Sequence, residues 1–360
     1  MRTCYALARA GHRVKIITGR PAGHDDIFSY YGIAPVPEME IVQVPMLRGK
    51  PFSWHAIFNY FSLLKILSLK KGAQAPDIIY LREIKLARFL LRFKKLLNLP
   101  FVIEVHDMKI KKFYDTCPEK DPNEHYVFRR ADGIVVLLNT FADILRETYG
   151  IEGIPVAKVP LAAEKIPFRH AQSAQRIIGY IGQLYPMQGA DILIEALRYI
   201  PEARLSIIGG GEKDLRRLRM LAAEIHVAER VDFHGFVSPR MAMEKAMKSD
   251  VMVICALDRG KRRYAAHTKL YEYMAMGKPI VAVDLPSVRE EVTEGRDAIL
   301  ARPEDPKDLA EKISLVLDNR ALAESLAIGA YTSADEFSWE KRAEKLSAFF
   351  LSVHADYRKK

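Results

Sequence analysis

The stretch HTKLYEYMAMGKPIVAV, residues 267–283, reads as a helix, its stop and a buried strand in succession. Thr268 is the expected N-cap, and the helix should run through Met276 and stop at Gly277, with Pro279 just beyond. PIVAV (279–283) is a continuous apolar run, the mark of a parallel strand covered on both faces. A single carboxylate, Glu272, stands between Tyr271 and Tyr273 and shares a helix face with Thr268 and Ala275. Those small neighbours leave room around it, and two carboxylate oxygens can accept from two adjacent hydroxyls of a diol. Neutralisation by Lys269 or exposure to water would equally account for a lone helical glutamate.

Working outward, the same alternation repeats along the chain. Strand runs are expected at 13–18, 41–45, 77–81, 101–106, 133–138 and 156–160, then at 176–182, 204–210, 231–235, 250–255, 279–283 and 298–301. Helical segments lie between most of them, which predicts an α/β chain with parallel sheets covered on both faces. Two series of strands predict two Rossmann-like domains, over 1–165 and 170–334, joined by the polar, proline-containing AAEKIPFRHAQSAQ (162–175). A last helix is expected after Ser338, within 335–360, free to cross back onto the first domain.

The start is unusual. TCYALARAGHRVKIIT (3–18) reads as the tail of a helix and then a strand, whereas a doubly wound domain opens with a strand and a tight turn. The first domain is therefore expected to lack its central first strand; either the sequence begins inside a longer reading frame or the sheet is rearranged.

Composition sets the outer bounds. At 360 residues and 49% hydrophobic the chain can bury two cores, and no apolar run reaches the length of a membrane-spanning helix. No signal peptide is recognisable. Cys4, Cys117 and Cys255 are far apart, which predicts reduced thiols, a cytoplasmic protein and no metal site. The formal charge of +10 is concentrated in the first half. There, 54–71 and 81–99 read as amphipathic helices with basic faces, suited to an anionic membrane or simply to solvent. No recognition motif accompanies the charge, which argues against nucleic acid.

Two turns carry glycines at strand ends. LSIIGGGEKDLRRL (205–218) runs into Gly209, Gly210 and Gly211 before a helix, and Gly182 and Gly189 flank the loop of YIGQLYPMQGADILIEAL (180–197). Such turns let backbone approach an anion at a helix N-terminus, though packing alone can also require them. The spacing is not that of a dinucleotide fingerprint.

Taken in order, GYIGQLYPMQG, LSIIGGGE, VDFHGFVSP, SDVMVICA, TKLYEYMAMGKPIVAVDLPSVREEV and FSWEK resemble the family 4 retaining glycosyltransferases, which have the two-domain GT-B fold. Weaker likeness continues through ARAGHRVKIIT, FVIEVHD and RRADGIVVLLNTFADIL. The resemblance implies transfer of a sugar from a nucleotide-diphosphate sugar, bound by the second domain in an interdomain cleft, to a hydroxyl acceptor of the first domain. The acceptors of such enzymes are often lipid-linked. It implies retention and, with no ligand cluster, neither metal nor cofactor.

The family's roles fall on particular residues. Glu272 matches the second carboxylate of E-x7-E, which holds ribose, and Gly209, Gly210, Gly211 and Glu212 match the donor loop. Phe236 and Val237 fall beside the base, and His106 matches the histidine that meets the donor sugar. Thr268, Lys269 and Leu270 lie in the turn before Glu272.

The departures are as specific. Tyr264 stands where the first glutamate belongs, His267 where a glycine is usual, and Gln183 and Gln188 where an arginine and a lysine commonly grip the diphosphate. Lys269 and the run Arg259, Lys261, Arg262 and Arg263 are the candidates to compensate. A nucleotide-sugar epimerase of the same fold and a non-catalytic nucleotide-sugar-binding protein are the alternatives these departures raise.

Overall fold

The computed structural model describes residues 1–19, 28, 31–46, 54–72, 74–115, 117–168 and 175–359. The chain divides into two compact units, Met1–Pro160 with Trp339–Lys360, and Leu161–Ser338. Each expected strand run overlaps an observed strand.

The first unit contains α1 (Arg2–Arg9), β1 (Val14–Gly19), β2 (Met39–Val44), α2 (Trp54–Lys70), β3 (Ile79–Leu81), α3 (Ile84–Leu91), α4 (Lys94–Leu97), β4 (Phe101–Val105), α5 (Pro122–Phe128), β5 (Gly133–Val136), α6 (Asn139–Tyr149) and β6 (Val156–Lys158). Its strands fall into two parallel sheets, β1–β2 and β3–β4–β5–β6, with no pairing between them among the described residues. The effect on burial is plain: all six residues of β1 are half-buried, whereas every residue of β4 and β5 is buried.

One expectation needs correction here. Residues 81–99 do not form one basic helix. Leu81 belongs to β3, α3 is followed by a separate turn of helix, and Asn98 ends that turn in a left-handed conformation (φ 46°). Lys94 is spent internally, on Asp132 at 2.8 Å and the Arg130 carbonyl at 2.7 Å, while Arg88 lies near the Tyr126 ring.

The second unit contains β7 (Ile177–Ile181), α7 (Ala190–Ala196), β8 (Arg204–Ile208), α8 (Glu212–Glu224), β9 (Val231–Phe233), α9 (Pro239–Ala246), β10 (Val251–Ile254), α10 (Thr268–Ala275), β11 (Ile280–Val283), α11 (Pro286–Arg289), β12 (Ile299–Ala301), α12 (Pro306–Asp318) and α13 (Arg320–Ser333). Its six strands form one parallel sheet in the order β12-β11-β10-β7-β8-β9. The chain enters at β7, winds outward to β9, then returns to the other side of β7, so the topological switch lies between β7 and β10. Open α/β sheets bind ligands at that switch, outside the carboxyl ends of the strands. Apolar clusters cover both faces, one including Leu193, Leu218 and Ile313, the other Leu270, Tyr273 and Met274.

The last helix, α14 (Trp339–Arg358), begins directly after Ser338 and belongs to the first unit. Ala343, Leu346, Phe350 and Val353 pack with Ala6 and Leu7 of α1, Val102 of β4 and Val135 of β5. It lies so close to β5 that a Cβ on Gly133 would come within 2.7 Å of Val353.

Candidate functional site

Three neighbouring strands of the second unit end in glycines with left-handed backbones. Gly182 follows β7 (φ +133°), Gly209 follows β8 (φ +109°) and Gly235 follows β9 (φ +65°). Backbone bonds tie them in a row: the Gly182 N–H donates to the Ile208 carbonyl and the Gly209 N–H to the Gly235 carbonyl, both at 2.8 Å. A Cβ on Gly209 would stand 2.5 Å from the Gly182 carbonyl oxygen. Glycine is therefore required by close backbone approach as well as by conformation. Just beyond, Gly211 is the N-cap of α8, makes no side-chain cap bond and opens onto empty space. The 13-residue helix thus begins without a side-chain cap, with Glu212 and Asp214 in its first turn.

Lys269 reaches into this row from α10. Its Nζ donates to the Tyr180 hydroxyl at 2.6 Å and to Gln188 Oε1 at 3.2 Å, and stands 4.0 Å from the Tyr180 ring centroid. Gly182 leaves space for the stem, since a Cβ there would lie 2.5 Å from Lys269 Cε. The hydrogen-bond partners are neutral; burial holds the Tyr180 phenol well above its usual range. Among the described residues no carboxylate forms an ion pair with Lys269. Burial pushes its ammonium down to about 8, with the charge of Arg262 adding in the same direction and Glu272 opposing.

Arg262 is the second cation of the group. Of the basic run, Arg259 is paired with Glu304 and Arg263 with Asp258. Arg262 has a buried Nε that finds no hydrogen-bond acceptor among the described residues. Its charge, after burial, helps to push His267 down to about 3, so that imidazole is neutral; it contacts Ser287 Oγ at 3.3 Å.

This occupancy corrects one expectation. Thr268 is not the cap of its helix. His267 is the N-cap residue, without a side-chain cap bond, because its ring is buried toward Ser287; Thr268 is the first helical residue and is exposed.

The other anticipated residues are distributed as follows. Gln188 is buried and occupied by Lys269, and Gln183 is exposed, its carbonyl accepting from the Tyr180 hydroxyl at 2.8 Å. Gly189 starts α7 so close to β10 that a Cβ would lie 1.7 Å from the Cys255 carbonyl oxygen. Gly210 packs on Leu184, and Glu212 faces solvent with Arg219 at 3.3 Å. Phe236 is 85% exposed, Val237 is half-buried and Leu270 is buried. Tyr264 is half-buried and closes the turn over the basic run, its N–H donating to the Lys261 carbonyl. Glu272 is half-buried one turn beyond Lys269. Sequence reasoning missed Tyr180 and Tyr273, whose hydroxyl accepts from the Ile181 N–H at 3.0 Å. Their strand or helix period marks them as core, and only the fold turns their hydroxyls to the strand end.

In the first unit, His106 follows β4 and is partly open, with 28% of its side chain exposed. Its Nε2 meets Glu104 Oε1 at 2.5 Å. Arg342 of α14 bonds the same oxygen at 2.6 Å, Nη2 donating. Burial alone would raise the Glu104 carboxyl; the His106 bond and the Arg342 guanidinium hold it below the usual carboxylate range. Neither Glu104 nor Arg342 was singled out from the sequence.

Two Rossmann-like units of parallel sheet, the second with an anion-receptive row at its strand ends, define the GT-B class. Residues 175–319 match the family model for glycosyl transferases group 1, and residues 1–162 match the model for the glycosyl transferase 4-like domain. The chain carries a glycosyl transferases group 1 domain and a glycosyl transferase 4-like domain, and it is a glycosyltransferase enzyme. It is similar to a D-inositol 3-phosphate glycosyltransferase of Xylanimonas cellulosilytica, at 25% identity over 73% of this chain and 68% of that protein. With the Mycolicibacterium smegmatis enzyme of the same description, identity is 28% over 51% of this chain and 42% of the relative. The matched stretch thus spans between 42% and 68% of these relatives' lengths. Among solved structures, sucrose-phosphate synthase of Thermosynechococcus elongatus superposes with a TM-score of 0.79 at 18% identity, over 99% of this chain and 92% of that one. Anabaena HepE, solved in complex with UDP, gives 0.74 at 15% identity, over 98% and 96%. These likenesses carry the fold. Among the described residues no helix is long and apolar enough to cross a membrane.

Proposed function

We propose that the chain transfers a sugar from a nucleotide-diphosphate sugar to a hydroxyl acceptor, with retention and without a metal ion. The observation that carries this reading is Lys269: an enclosed cation with neutral hydrogen-bond partners, beside backbone that only glycine allows and the uncapped start of α8. In the reaction the bond from the anomeric carbon to the diphosphate breaks and the nucleoside diphosphate leaves with the electron pair; the acceptor oxygen bonds to that carbon, and its hydroxyl proton passes to the departing diphosphate oxygen. The departing group gains negative charge, so fixed positive groups lower the barrier. Lys269 and Arg262 supply that charge in place of the cations replaced by Gln183 and Gln188. Gly209, Gly210 and Gly211 offer backbone N–H groups to the phosphates, Glu272 takes the ribose hydroxyls, Phe236 and Val237 flank the base, and His106 acts at the sugar. The UDP complex of HepE supports a uridine donor.

The first unit would bind the acceptor. Its α2 exposes Tyr60, Phe61 and Leu64, and Arg82, Lys85, Arg92 and Lys95 lie exposed beyond it. Apolar and basic groups together suit a lipid-linked acceptor at the surface of an anionic membrane, on its cytoplasmic side.

Calorimetry with UDP, UDP-sugars and GDP-sugars, followed by product analysis with pooled acceptors in the presence of EDTA, tests the reading. Micromolar binding of one nucleotide and acceptor-dependent transfer that survives EDTA are expected. Conversion of the sugar without any acceptor would replace transfer by epimerisation, and no binding of any nucleotide would end it.

A further inference from the structure

We propose that Glu104 and Arg342 are positioning residues that fix the tautomer of His106, so that the open side of its ring presents a bare Nδ1 to a hydroxyl of the bound sugar. This rests on the reading that His106 acts at the donor sugar.

The local sequence sets up the contact. Glu104 and His106 are two residues apart at the end of β4, and in a strand such residues point to one face. Glu104 is 5% exposed, and a carboxylate so buried requires compensation. It comes from the far end of the chain. Arg342, itself 3% exposed, donates from Nη2 to Glu104 Oε1. Its other two nitrogens are also engaged: Nη1 with the carbonyls of Val159 at 2.9 Å and Pro160 at 2.5 Å, and Nε with Thr3 Oγ1 at 3.2 Å. With acceptors on β6's extension, α1 and β4, the guanidinium cannot swing away, and Glu104 is pinned in turn.

The chemistry follows from donor counting. An ionised carboxylate only accepts, and the Glu104 oxygen that meets His106 also takes the Nη2–H of the Arg342 guanidinium, a cationic donor that favours the ionised form. The bond to His106 Nε2 at 2.5 Å therefore needs the hydrogen on Nε2. In a neutral imidazole that leaves Nδ1 as the acceptor. Such a ring is matched to an alcohol that can donate, and mismatched to a carbonyl or phosphate oxygen. The loop beyond is also fixed, the Lys109 N–H donating to both oxygens of Glu124 at 3.0 Å.

The test uses the full chain labelled with 15N-histidine, at about pH 8.5 where free imidazole is neutral. Long-range 1H–15N spectra read the tautomer, with His106→Gln assigning the signal. UDP release from UDP-glucose supplies kcat and KM. The wild type should show the Nε2–H form. Glu104→Ala should lose that preference and lower kcat roughly tenfold or more, with KM within about twofold. Glu104→Gln, whose amide oxygen can still accept, should keep the Nε2–H form and recover much of kcat. A wild-type Nδ1–H form, or a His106 signal unchanged in Glu104→Ala, overturns the proposal. If Glu104→Ala does not fold, the wild-type spectrum decides alone. A changed tautomer with unchanged kcat would leave the positioning intact and remove the reading of His106 at the sugar.

Discussion

Two cations, the buried Arg342 in the first unit and the half-buried Lys269 in the second, are treated in opposite ways. Arg342 meets a carboxylate and three further oxygens, so that each of its three nitrogens donates to the protein. Lys269 meets a phenol and an amide oxygen, and burial pushes it down to about 8. The first is the pattern of a structural fastening. The second keeps only neutral hydrogen-bond partners at the end of a parallel sheet, with Glu272 acting on its charge from one turn along the helix. The contrast separates a cation whose partners include a carboxylate from one whose hydrogen-bond partners are all neutral, and the latter is what the proposed phosphate-binding role of Lys269 requires.

The sharpest way to break this comparison is to remove each cation in turn. Arg342→Met strands Glu104 as a buried charge, and urea denaturation should show a loss of about 3–5 kcal/mol. Its pH dependence has a definite sign. Glu104 has a lowered value in the folded state, so its contribution is present above the ordinary glutamate value and lost as pH falls through the lowered one. Without Arg342 that acid loss should begin at higher pH.

Lys269→Met should do the reverse. Stability stays unchanged or rises, while calorimetry should find UDP bound roughly a hundredfold more weakly, about 3 kcal/mol. Equal destabilisation by both variants would erase the distinction.

A smaller effect sharpens it further. Lys269 is charged below about 8 and neutral above, so the free enzyme's Kd for UDP should be flat up to that pH and rise beyond it. His267, pushed to about 3, is neutral throughout and contributes nothing to the slope. A constant Kd between pH 6 and about 9.5, near the ordinary lysine range, would contradict the role of Lys269. Smallest of all, Ser287→Ala, which removes one long contact at 3.3 Å, should cost under about 1 kcal/mol and leave UDP affinity alone.

The fold was largely legible in the residues. Runs such as PIVAV (279–283) and FVIEVH (101–106) read as buried strands because they are short, rich in β-branched residues and set between helical segments, and β11 and β4 occupy them. The site was legible only in part. Gly182 and Gly209 announce themselves because conformation restricts such positions to one residue type. Partner choice leaves no such local trace. Arg342 and Glu104 lie 238 residues apart, and Lys269 and Tyr180 lie 89 apart, so nothing in either neighbourhood anticipates the contact. The cap at Thr268 failed for a related reason: a burial site for the neighbouring His267 ring took precedence over the local preference for a hydroxyl.

The divided sheet of the first unit has a dynamic corollary. β1 is hydrogen-bonded along one side to β2 and lies half-buried over its whole length, while β7 in the second unit sits between β10 and β8. Backbone amides of β1 should therefore trade their protons for deuterons through local openings of low free energy, and those of β7 only when the entire second unit comes apart.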